Sequence, residues 1–593
     1  MNSPSGTQNS LKRVKAPVRF NALRVPGKDF NPCDYYQTRS KIMKSISHCF
    51  IGLLVVLLVA CMPIQPPAVQ PDASDASSAL DELGTVDFAV SCTAEAQAEF
   101  NRGAALLHSF WFGPAIKSFT TVTELDPTCA MGHWGVAMSL LGNPFTWPPS
   151  PKALEDGWAA TEKAIAAGAK TEREQGYITA ITAFYQDAAT IDHRTRAVAY
   201  EQAMAALATQ FPADTEATIF YALALDATAL PTDKSYANPL KAAEMLNKIF
   251  ADQPNHPGVA HYLIHSYDYP AIAEKGLEAA QRYAGIAPDA PHALHMPSHI
   301  FTRRGLWQAS IATNLDSARI ATAEAVTALG AGAGAAGALH AGDYLMYGYL
   351  QTGQDEAARK LLDDVAAIQK LDVENFVASF ALASMPARYV LERNQWAEAA
   401  ALTLHPIVAW EKFPQSEAVV VFARGLGAAR SGDVAAANGA LERLQELHAA
   451  LVEAKNAYWA GQAEIQIAEV SAWIALAEGQ QDEALTLMQQ AVTLEAATDK
   501  NPVTPGPLKP AQELLGELLL EVGDGAAALQ AFEASQQVEP NRFMGLYGAA
   551  RAAEMAGDDE KAHSYYEQLV TLGAMADSER PELAAAQAFL AQK

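Results

Sequence analysis

His261 and His265 stand four residues apart, His295 and His299 repeat that spacing, and the second pair follows the first by 34 residues. A four-residue step puts two side chains on one face of a helix. Two imidazoles placed that way can share a metal ion, held at about 2.0–2.1 Å from each nitrogen. A helix packed roughly 10 Å away can add further donors, and His340 with Asp343 completes the candidate set. Such donors suit Zn, Cu, Fe or Ni, and the sequence does not choose among them. Seven of the 14 histidines fall between His256 and His340. Tyr262, Tyr267, Tyr344 and Tyr347 are close enough in sequence to orient ligands, or to take part in chemistry with a redox metal. Without an ion, the same rings would line a groove and hydrogen-bond a peptide. The chain has no Gly-rich phosphate loop, nucleophile elbow or Cys-x-x-Cys, which disfavours an ordinary hydrolase or nucleotide enzyme.

The elements that must carry these residues are helices. Alanine-rich stretches such as 397–401 and 526–528, 8% aromatic content and few β-branched runs favour helix over strand, so the expected class is all-α. At 593 residues the chain exceeds one compact domain, yet no Pro/Gly/Ser linker divides it. A long array of repeats fits both facts.

Small residues recur where paired helices would touch, a bulky apolar residue follows on the second helix, and proline ends the unit. Gly103, Ala115, Phe119 and Pro127 form one such series; Gly516, Ala528, Phe532 and Pro540 form another, followed 34 residues later by Ala550, Ala562 and Tyr566. This pattern resembles the tetratricopeptide repeat, a helical hairpin that stacks into a right-handed superhelical solenoid. The clearest units are 96–129, 257–290, 291–324, 509–542 and 543–576. The register between Thr171 and Gln253 is uncertain. In that family the first helix of each unit lines a concave groove. The resemblance therefore directs His261, His265, His295, His299 and Asp343 into it, with Asp268, His292, His340 and Tyr347 as further groove contacts.

Ahead of the array, residues 1–60 hold nine Lys/Arg against two acids and end in the apolar run Phe50–Ala60. That run is too short to cross a bilayer as a helix and matches the apolar part of a secretory signal. Leu58-Val59-Ala60-Cys61 resembles the lipobox of bacterial lipoproteins, which implies a lipid on Cys61. Residues 61–90 then read as a disordered tether and 91–593 as the solenoid. The expected location is extracytoplasmic and membrane-anchored, periplasmic or at the cell surface. Cys92 and Cys129 would remain after processing and can pair in an oxidising compartment. Removing the leader leaves 33 Lys/Arg against 65 Asp/Glu. This balance argues against a nucleic-acid partner.

Two functions follow. One is a repeat scaffold that binds a protein or peptide, or a transition metal, in a histidine-rich groove. The other is a metal-dependent enzyme, hydrolytic or oxidative, built in the same place.

Overall fold

A computed structural model describes residues 82–592. The leader, Cys61 and the tether as far as residue 81 lie outside the described residues. Residues 82–592 fall within one compact unit. It is all-α: the described residues are organised as successive helices, apart from a two-residue parallel pairing of Ala333–Gly334 with Lys370–Leu371. Short polar residues start many helices by accepting a backbone N–H, as Thr93 does from Ala96, Asp192 from Thr195, Asn375 from Ala378 and Asp524 from Ala527.

Each of the five clearest repeat units holds a helical hairpin, for example Ala94–His108 with Phe112–Leu125 and Ala511–Glu521 with Gly525–Val538. The segment of uncertain register supplies two more hairpins, Glu172–Tyr185 with His193–Gln210 and Thr215–Thr228 with Ala237–Asp252. The packing device is the same at both ends of the array. A methyl group on Gly103 would meet the Phe119 ring at 2.9 Å, and one on Gly135 in the next unit would meet it at 2.3 Å. Gly516 and Gly548 clasp Phe532 in the same way, at 2.7 and 2.3 Å. Glycine lets the axes close on the ring, and the ring fills the space that each hairpin alone would leave open to water.

The first large core runs from Leu83 to Phe301 and the second from Ile311 to Ala531. Residues 82–90, assigned to the tether from sequence, contribute Leu83, Val86 and Phe88 to the first core. The start of the packed region therefore moves upstream of residue 91. Cys92 and Cys129 form a disulfide with Cα atoms 5.2 Å apart, tying this segment to the end of the first hairpin.

The array also curls back on itself. Trp307 Nε1 donates to the Asn541 carbonyl at 2.7 Å, and the Phe543 N–H donates to Gln351 Oε1 at 2.7 Å. Arg580 donates to the carbonyls of Glu392 and Leu350. Arg542 is fully buried between Glu513 at 2.6 Å and Glu392 at 2.6 Å. The Pro-rich connector, residues 499–509, runs through the interior: Arg388 donates to the carbonyls of Gly506 and Pro507, and Lys500 pairs with Asp268 at 2.9 Å. The open histidine groove inferred from the repeat is, in this chain, largely filled: His261, His265, His295 and His299 are buried, and His292 and His340 are partly exposed. Among the described residues no helix is long and apolar enough to cross a membrane.

Candidate metal centre

Three elements bring six histidines together. The helix Pro257–Tyr267 starts at His256, whose Nδ1 accepts from the Val259 N–H, and it carries His261 and His265 one turn apart. In the next unit the first helix is broken at Met296 by Pro297, into Pro291–His295 and Pro297–Arg303, which carry His292, His295 and His299. The helix Ala336–Gln351 contributes His340 and Tyr344. His261, His265 and His292 each offer one nitrogen within 4.8 Å of the others, and so do His295, His299 and His340. The two sets adjoin through the ring pairs His265–His299, with centroids 5.7 Å apart, and His292–His295, at 5.9 Å.

Hydrogen-bond acceptors outside the cluster fix which nitrogens face inward. His261 Nδ1 lies 2.7 Å from the His108 carbonyl, an acceptor, so it carries the proton. His299 Nδ1 lies 3.0 Å from the Asp268 carboxylate. His295 Nδ1 lies 2.6 Å from Asn314 Oδ1, whose amide is oriented by its own donation to the Ser310 carbonyl. On this assignment the Nε2 lone pairs of His295 and His299 face each other at 3.0 Å, with no hydrogen between them. In the other set His261 Nε2 is 3.2 Å from His292 Nε2, and the buried His265 Nε2 has no hydrogen-bond partner. Two nitrogens bound to one ion at about 2.0–2.1 Å with a near-tetrahedral angle lie roughly 3.3 Å apart. The donor set therefore fits an ion in each half.

Burial is the main reason all six imidazoles are held neutral. It lowers His261 to about 3 and pushes His265, His292, His295 and His340 well below the ordinary value, with mutual repulsion adding to it. His299 is also lowered by burial, against the pull of Asp268. Burial alone would raise the Asp268 carboxyl, but the Lys500 and Arg303 cations outweigh it and hold it below its usual range. Aromatic rings wall the cluster. Phe145 stacks on His265 with centroids 3.8 Å apart, Tyr283 stacks on His261 at 5.3 Å, and Tyr344 meets His295 edge-on at 4.8 Å. Phe110 touches His261 at 4.4 Å and stacks over His292 at 5.4 Å from a left-handed backbone, φ 52°, that bulky residues seldom adopt.

A third grouping, His108, Glu216 and His256, is fully buried nearby. Its nitrogens are already engaged: His108 bonds Glu216 at 2.9 Å and Tyr262 at 3.0 Å, while His256 bonds Glu216 at 2.9 Å and accepts from Val259. This grouping satisfies its own nitrogens and orients its neighbours.

Of the residues singled out from sequence, His261, His265, His295, His299 and His340 converge. Asp343 does not join them: its carboxylate faces Arg388 at 3.4 Å. His292, read as a groove contact, takes its place as a ligand-type residue. Asp268 orients His299 and lines no groove. Tyr347 is buried away from the cluster, its hydroxyl accepting from Arg542. Sequence reasoning missed His292 as a donor, though its spacing three before His295 was a usable signal. It also missed Asn314, Phe110, Phe145 and Lys500, which reach the site only through tertiary packing.

No family model matches this chain, and no curated protein does. Among solved structures it is similar to the yeast Tom70, with 12% identity, a TM-score of 0.32 and coverage of 84% of this chain and 96% of that one. It is also similar to the APC/C hetero-tetramer Cut9-Hcn1, with 12% identity, a TM-score of 0.26 and the same coverages. A third is the human IFIT1 dimer with m7Gppp-AAAA, with 11% identity, a TM-score of 0.32 and coverage of 75% and 90%. The assignment to tetratricopeptide-like helical repeats rests on the hairpins and their glycine–phenylalanine packing.

Proposed function

We propose that this protein is an exported, lipid-anchored helical-repeat scaffold whose interior holds two transition-metal ions. One sits on His261, His265 and His292, the other on His295, His299 and His340. The observation that carries the reading is the pair of facing Nε2 atoms on His295 and His299, 3.0 Å apart, with both Nδ1 atoms committed to outside acceptors and the Tyr344 hydroxyl shared between His299 Nε2 at 3.4 Å and the Thr504 carbonyl at 3.3 Å. Neutral nitrogens that close repel one another unless a cation lies between them, and burial keeps protons from filling that role.

The test is metal analysis of the purified chain, reconstituted in turn with copper, zinc, iron and nickel. The expected result is two ions per chain, falling to one in His265→Ala and in His340→Ala. No stoichiometric ion with any of the four metals would overturn the reading. Peptide recognition by the histidines themselves finds less support, because His261, His265, His295 and His299 are buried and only His292 and His340 keep partial exposure.

A protein partner is better served elsewhere. A cleft between the helices Gln481–Ala496, Ala511–Glu521 and Gly525–Val538 presents Leu485, Leu515 and Leu519 beside Gln489, Gln512 and Gln530. Amides of this kind can bond an extended peptide backbone. Export and anchoring at Cys61 are supported by the lipobox-like residues, and the Cys92–Cys129 disulfide suits an oxidising compartment.

A further inference from the structure

We infer that the paired histidine sets form a dicopper centre that binds dioxygen between its two ions, an inference that rests on the two-ion reading above. The choice of metal follows from charge. All six donors are neutral, and the fixed charges close by already balance: Asp268 and Glu539 stand against Arg303 and Lys500. The carboxylates nearby are turned away from the donors: Asp343 to Arg388, Glu216 to His108 and His256, and Asp226 to the Ser266 hydroxyl. Two divalent ions would place four positive charges in this buried volume, whereas two cuprous ions place two. Of the metals imidazole suits, only copper offers that lower charge, and three nitrogens satisfy a cuprous ion while leaving it open to a further ligand.

The choice of ligand follows from the wall. A cavity with room for about one water-sized molecule, some 20 Å³ for its centre, lies behind Phe110 and Tyr262, one side chain away from His261. It is lined by Leu107, Phe110, Phe112, Leu141, Trp147 and Tyr262 among others, and Phe110 and Tyr262 also touch His261. An apolar space of this kind excludes water and accepts small apolar guests. Dioxygen fits both its size and its polarity.

The binding step balances without another reactant. Each cuprous ion gives one electron, both electrons pass to dioxygen, the O–O π bond is lost while the σ bond remains, and the dianion bridges two cupric ions. The centre carries two positive charges before and after, so the buried site meets no new net charge. Release returns both electrons to copper.

The experiment loads the full chain with cuprous ion under argon and then admits air. The expected result is uptake of one dioxygen per two coppers, with a new near-ultraviolet charge-transfer band and no paramagnetic signal, since the two cupric spins pair. The band should fade on return to argon. His340→Ala should keep one copper, lose the band and give a cupric paramagnetic signal on oxidation. Ala227→Leu, which narrows the cavity without touching the histidines, should keep two coppers and slow the uptake at least tenfold. Two bound coppers with no oxygen-dependent band would overturn this inference and leave the two-ion reading standing, as would a protein that takes up two zinc ions but no copper. A chain that takes up none of the metals would overturn both.

Discussion

Asp268 is the residue on which most of the buried polar groups of the centre converge, since it receives His299, Arg303 and Lys500 at 2.9–3.0 Å. Asp268→Asn leaves two buried cations with Glu539 as their remaining anion, which should destabilise the fold by about 3–5 kcal/mol. It should also release the His299 tautomer and weaken metal affinity about 10–100-fold, measurable by competition with a chromophoric chelator. Glu469 tests burial in the opposite sense. It is 2% exposed, its Oε1 has no partner, and burial, with Glu495 adding, raises it well above its ordinary 4.5. A raised carboxyl stabilises the fold fully below its unfolded value, and that contribution is lost as pH climbs from about 4.5 through the folded value. Glu469→Gln should therefore match the parent near pH 4 and exceed it at pH 8 by at least about 1.4 kcal/mol, the worth of one pH unit. Denaturant midpoints at the two pH values check this. At this scale the sequence was readable where periodicity acted, as for His261, His265, His295 and His299. It was unreadable where a backbone carbonyl or a distant side chain decided the outcome, as for the tautomer of His261 or the turning of Asp343 to Arg388.

Hairpins were the most legible feature, because a glycine and a phenylalanine sixteen residues apart leave a mark that composition cannot hide. Gly548→Ala places a methyl 2.3 Å from the Phe532 ring and should cost about 1–3 kcal/mol, seen as a lowered melting temperature. Phe532→Leu in the same chain should recover part of that loss, which separates crowding from a change in helix propensity. The connector at 499–509 is stiffened by its prolines, but its path is not written in them. A segment's own residues fix its stiffness, whereas its course here is set by Arg388, Asp268 and Lys234, which hold Gly506, Lys500 and Asp499 from other repeats. The Asn143–Pro151 loop behaves alike: Phe145 reaches the histidines because Trp147 packs on Phe184 and anchors the turn.

Repeat arrays usually gain stability from neighbours alone, but this one adds contacts between units about 190–230 residues apart. Such closure has no periodic signature, which is why an open groove was the natural expectation from sequence. Arg542 carries much of it. Arg542→Ala leaves Glu513 and Glu392 buried without their cation and should cost about 3–5 kcal/mol. The loss should fall unevenly, with limited proteolysis cutting first ahead of Phe543 while the N-terminal hairpins stay intact. Closure also imposes a timetable. The inner connector is synthesised more than 200 residues after His265 and seats over helices already made, so the walls around the histidines are completed late in synthesis. Until then the imidazoles stand open to any reactant nearby, and the finished array narrows that exposure.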